Sequence, residues 1–115
     1  MDIEWLRNTC LSRPATSEDI KWGNDLCFLV AGKMFCVAGL DQPLTISFKV
    51  PNELFPEISG SEGYVPAPYM ARASWVQLTD ATKVRKEDLE KQITRSYELV
   101  KARLPKKVKV EFGLT

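Results

Sequence analysis

The chain has 115 residues, 44% apolar and 27% charged, a size and balance suited to one soluble domain spanning 1–115. It contains no histidine, which excludes Ser-His-Asp and Cys-His catalysis and removes the usual nitrogen ligand for zinc, copper or non-haem iron. Three cysteines, Cys10, Cys27 and Cys36, without CxxC spacing argue against a disulfide framework or zinc knuckle.

No apolar run approaches the roughly 20 residues of a membrane span. The acidic start Met1-Asp2-Ile3-Glu4-Trp5 lacks the apolar region of a secretory signal. A cytoplasmic protein that does not engage membranes is expected. Net charge is +1 but unevenly placed. Residues 1–82 carry six basic and ten acidic side chains; residues 83–109 carry ten and four. That asymmetry raises an anionic partner.

In chain order, Ile3, Leu6, Cys10 and Leu11 recur at helical spacing and predict an amphipathic helix over 2–11, with Trp5 near the stripe. Ser12-Arg13-Pro14 ends it, since the residue before proline is pushed out of the α region. Residues 15–18 read as loop, and Ile20 and Trp22 as a short edge strand. The runs Leu26–Ala31 and Met34–Leu40 predict a hairpin around Gly32-Lys33 as a type II′ turn. That register sets Val30 opposite Phe35, Leu29 opposite Cys36 and Cys27 opposite Ala38. Cys27 and Cys36 are then diagonal neighbours, too distant for a disulfide, and read as small buried hydrophobes.

Asp41-Gln42-Pro43 is a turn. Leu44, Ile46, Phe48 and Val50 then alternate with Thr45, Ser47 and Lys49, so one strand face is core and Lys49 belongs to the wet face. Pro51 opens a short helix through Ile58, and residues 59–63 form a loop. Tyr64 to Tyr69 is stiffened by Pro66 and Pro68. Ala71–Leu78 reads as strand, with Trp75 and Gln77 on one face and Val76 and Leu78 on the other. Lys86–Leu104 is the strongest helix, its stripe Leu89, Ile93, Tyr97, Val100 and Leu104, with Glu87 and Lys91 placed to pair. Val108, Val110 and Phe112 alternate with Lys107, Lys109 and Glu111 as a last strand. The fold class is α+β: a two-layer sandwich, an antiparallel sheet with helices packed on one face.

Several strings carry a family resemblance. Glu18-Asp19-Ile20-Lys21-Trp22-Gly23-Asn24, Gly32-Lys33-Met34-Phe35 and Ile46-Ser47-Phe48-Lys49-Val50 are similar to the MmcQ/YjbR family. So are the run Pro66-Ala67-Pro68-Tyr69-Met70-Ala71-Arg72-Ala73-Ser74-Trp75-Val76 and the closing helix with Ser96-Tyr97-Glu98-Leu99-Val100. The resemblance implies a bacterial-type α+β domain related to frataxin-like (CyaY) or secretion-chaperone-like folds. It also implies a DNA-binding label through a double-wing sheet, and brings no catalytic motif. Frataxin-like iron binding would call for an acidic ridge near the first helix, where Asp2 and Glu4 stand alone beside Arg7.

The candidate nucleic-acid-binding residues are Lys33, Lys49, Arg72 and Trp75: cations for phosphates and an indole for base stacking. The bland alternative is that Trp75 covers a gap beneath the Tyr64–Tyr69 segment and the cations are solvated. Lys83 and Arg85 before the long helix, and Lys106, Lys107 and Lys109 after it, form two small patches about 27 Å apart at ~1.5 Å per residue. Trp22-Gly23-Asn24-Asp25 suits a turn, with pocket lining the alternative. No P-loop, GxGxxG loop or nucleophile–base set is present, so no enzyme activity and no cofactor are expected. The sequence thus leads to a binding module, monomeric or weakly dimeric. It would bind DNA weakly and without sequence preference, or alternatively a protein or peptide through the open sheet face and the aromatics Tyr64, Tyr69 and Trp75.

Overall fold

The computed structural model describes residues 2–114. Helix α1 spans Ile3–Leu11, its first turn capped by the Asp2 carboxylate, which accepts from the Trp5 N–H at 2.9 Å. Leu6 and Cys10 turn inward from it. A six-stranded antiparallel sheet follows in the order β1-β2-β3-β4-β6-β5: β1 Thr16–Lys21, β2 Asp25–Val30, β3 Lys33–Gly39, β4 Thr45–Lys49, β5 Tyr64–Pro66 and β6 Trp75–Leu78. Helix α2 (Phe55–Ser59) follows a 3-10 turn at Asn52–Leu54; α3 (Lys86–Ala102) and α4 (Lys106–Glu111) close the chain. Among the described residues no helix is long and apolar enough to cross a membrane.

The first edge strand begins at Thr16, not at Ile20. Its charges, Glu18, Asp19 and Lys21, suit an edge that must not pair with another chain. Glu18 is anchored by Arg7, whose Nη2 donates at 2.6 Å and Nε at 2.9 Å. Those bonds hold the Glu18 carboxyl below its ordinary value of 4.5. A depressed folded value means that the stabilisation is present above the unfolded value and lost as pH falls through the folded one. Glu18→Gln is therefore expected to lower the urea midpoint at neutral pH and to converge with the parent in acid. A gap that persists unchanged in acid would show that the charge is not the cause.

The β2–β3 turn is Ala31-Gly32, not Gly32-Lys33. Both residues have positive φ, 47° and 85°, as a type I′ turn requires. Val30 thus faces Lys33, and Leu29 faces Met34. A bulge at Phe35 then shifts the register, giving Phe28 opposite Cys36 and Cys27 opposite Val37. The expected hairpin register is corrected throughout. Cys36 joins the core beneath the helices, whereas Cys27 joins the cluster on the other side of the sheet. All three thiols are free and buried, and hydrogen bonding with Cys10 together with burial pushes the Cys36 thiol upward.

The bulge opens the ladder between β3 and β4. Cys36 pairs with Phe48, but one step further the buried Ser96 hydroxyl of α3 stands between the strands. It donates to the Phe35 carbonyl at 2.6 Å and accepts from the Lys49 N–H at 2.9 Å. Tyr97 adds an edge-to-face contact with Phe35, ring centres 5.3 Å apart, and its hydroxyl donates to the Pro14 carbonyl at 2.7 Å. These contacts dock α3 on the sheet over a core that includes Leu6, Phe28, Phe48, Val76, Leu89 and Ile93.

Three further expectations are corrected. Residues 106–111 are helical: Pro105 starts the turn, and Lys109 Nζ donates to the Ala102 carbonyl at 3.1 Å. An alternation this short fits either period, and here the chain closes local hydrogen bonds instead of joining a sheet edge. Residues 71–73 form a 3-10 turn, so β6 begins only at Trp75. Glu87 pairs not with Lys91 but loosely with Arg85 at 3.8 Å.

Candidate functional site

The sheet is apolar on both faces. Away from the helices, Cys27, Leu29, Val37 and Trp75 form a second cluster, roofed by Ala67 and Met70. The roof is an arch. The Ala67 N–H donates to the Trp75 carbonyl at 3.0 Å, and the Met70 N–H donates to the Ala67 carbonyl at 3.1 Å. In the turn Ala67-Pro68-Tyr69-Met70, proline takes the second position, which its ring favours. Tyr69 takes the third with φ of 66°, a conformation usually given to glycine.

The arch covers only part of the face. Beside it lies a cavity of about 680 Å³, floored by Val37, Ser47 and Gln77 and walled by Met34 and Met70. Gly39 keeps one side open: a Cβ there would stand 2.4 Å from Thr45 Oγ1. Trp22 and Tyr69 form the rim, 69% and 107% exposed. Trp22, like Tyr69, is left-handed, with φ of 52°. Backbone strain of about 1–3 kcal/mol per such residue persists where structure or function holds it. Here it holds two large aromatics in solvent around an apolar hollow. Asp25 is the one carboxylate in the lining, and Lys21 sits directly across from it in the β1–β2 register. The hollow is therefore suited to apolar surface more than to charge.

The four sequence candidates are placed differently. Lys33 is exposed at the β2–β3 turn, and Arg72 is exposed in the 3-10 turn of the arch. Lys49 faces Trp75 in the β4–β6 register. Its ammonium donates to the Ala73 carbonyl at 2.5 Å, and desolvation, then Arg103, lowers its pKa. Trp75 is 5% exposed and packed in the second cluster, so it offers no free face for base stacking. Tyr64 points the other way, edge-on to Phe48 at 6.1 Å in the main core. Of the aromatics named from the sequence, Tyr69 and Trp22 reach the site. Met34, Val37, Met70 and Gln77 were not singled out. For Met34 and Val37 the signal was the near-continuous apolar runs of β2 and β3, which mark strands buried on both faces.

An antiparallel sheet with helices packed on one face defines a two-layer α+β domain. The YjbR family model matches residues 11–99, and the chain belongs to that family. Among solved structures, a Deinococcus radiodurans protein with a DUF419 domain is similar at 26% identity and a TM-score of 0.87, over 98% of this chain and 88% of that one. A Pseudomonas syringae protein shares the fold at 17% identity and a TM-score of 0.73, over 86% of this chain and 98% of that one. No curated protein matches the sequence.

Proposed function

We propose that this YjbR domain is a non-enzymatic, cytoplasmic binding module whose working surface is the cavity under Trp22 and Tyr69. Its occupant is an extended peptide segment of a partner protein, inserting one large apolar side chain. The observation that carries this reading is the pair of exposed, left-handed aromatics on the rim of an apolar hollow. The secretion-chaperone-like architecture implied by the family resemblance accords with it, and three unpaired cysteines accord with a reducing compartment. Sequence-independent DNA binding, with the frataxin-like alternative, is less favoured. Trp75 is buried and the Lys49 ammonium is already engaged, which leaves, of the four candidate residues, only the exposed Lys33 and Arg72 to meet phosphates.

The test is selection of a displayed random-peptide library on the immobilised protein, followed by affinity measurements on enriched sequences. Enriched peptides are expected to share a large apolar residue and to bind with little salt dependence. Trp22→Ala should weaken them about 30-fold, the loss typical of an aromatic hot spot. Tyr69→Gly should weaken binding while raising stability by up to about 1 kcal/mol, because glycine relieves the left-handed strain. Lys33→Glu with Arg72→Glu, both at exposed positions, should leave affinity unchanged. No enrichment, or peptides indifferent to Trp22→Ala and Tyr69→Gly, would overturn the proposal.

A further inference from the structure

A second cleft, of about 510 Å³, lies against the first half of α3, away from the cavity described above. Asp88, Lys91, Gln92 and Arg95 recur at helical spacing and face it from α3; Lys83 and Arg85 enter from the preceding segment. Four cations thus line one concavity against a single carboxylate. Arg85 is only loosely paired, 3.7 Å from Asp88 and 3.8 Å from Glu87. Among the described residues Lys83, Lys91 and Arg95 have no ion-pair partner.

The Arg95 guanidinium is already oriented. Its Nη2 donates to Gln92 Oε1 at 2.5 Å, while its Nε is buried and has no acceptor among the described residues. A buried donor left unpaired is uncommon in a folded protein and costs about 1–3 kcal/mol. Clustered, unpaired cations also repel one another. That repulsion falls when an oxyanion enters the cleft. The Tyr64 side chain, half-buried, lines the same cleft.

From this arrangement we infer that the cleft is a binding site for a phosphomonoester. A carboxylate brings one charge and two oxygens. A phosphomonoester brings a charge of about −1.5 to −2 and three strong acceptor oxygens, a closer match to two guanidinium groups and two ammonium groups. The volume is that of a small-ligand pocket.

The test is an NMR titration of the whole protein with inorganic phosphate and, separately, with adenosine monophosphate, against sodium chloride at equal ionic strength. Saturable shifts are expected at the backbone amides of Lys91 and Gln92 and at the Arg95 Nε–Hε resonance, with chloride giving none. Arg95→Gln and Lys91→Gln should each weaken phosphate about tenfold, the loss expected for one charge-assisted hydrogen bond. Lys91 is exposed, so its substitution leaves the fold intact and keeps the test decisive if Arg95→Gln unfolds. Equal affinity for the two ligands assigns recognition to the phosphate alone; tighter nucleotide binding assigns it to a phosphate carried on a nucleoside. Shifts that do not saturate, that chloride reproduces, or that survive Lys91→Gln unchanged would overturn the inference.

Discussion

Trp75→Ala is expected to lower the unfolding free energy by about 3–5 kcal/mol, the usual cost of emptying a large aromatic site in a core. The indole is 5% exposed and packs with Cys27, Leu29, Val37 and Ala67. It also lies at the base of the arch, where its carbonyl accepts from Ala67 and its N–H donates to the Met70 carbonyl at 3.3 Å. Loss of the ring should therefore loosen residues 67–73 as well as the sheet, and weaken ligand at the Trp22–Tyr69 rim without touching it. Denaturant unfolding measures the first effect, and hydrogen exchange at Ala67 and Met70 the second. A loss under about 0.5 kcal/mol, the range of ordinary surface substitutions, would mean that Trp75 is not packed. The base-stacking role would then be open again.

Ser96→Ala is expected to cost about 3 kcal/mol although it removes a single oxygen. The hydroxyl satisfies two buried backbone groups at once, the Phe35 carbonyl and the Lys49 N–H. Each group left without a partner costs about 1–3 kcal/mol. Alanine fits the space but offers neither bond, and the bulge keeps the two strands from bonding each other. The unfolding midpoint should fall, and exchange of the Lys49 amide should accelerate by more than that of its neighbours on β4. Unchanged protection at Lys49 would show that the strands can close the gap unaided, and the bridging role of Ser96 would fail.

Much of the fold was legible because its signals are local. The stripe Leu89, Ile93 and Tyr97 marks α3, and its buried face matches that pattern; the alternation Ile46, Ser47, Phe48 marks β4 as a strand, but Ser47, expected on a wet face, is buried as well. The hairpin register was not legible. Ala31 is an unusual residue for a positive φ, and the gap at the Phe35 bulge is bridged by Ser96, distant in sequence. The final segment failed for a related reason: three alternating pairs fit a strand or a short helix, and tertiary surroundings decide between them.

The candidate site divides along the same line. The sequence by itself determined the chemistry available: no histidine, three isolated cysteines, a proline-stiffened aromatic segment, and cations concentrated after residue 82. Only the tertiary structure decided which of these groups meet solvent together. Trp75 and Tyr69 are six residues apart, yet one is sealed under the arch and the other stands clear of it. Lys91 and Arg95 balance against acidic neighbours when the helix is read as a string, but the turn of α3 gathers them with Lys83 and Arg85 around one cleft. Local periodicity sets which residues share a face. What covers that face depends on segments distant in the chain, whose docking is governed by packing and by the pairing of buried polar groups.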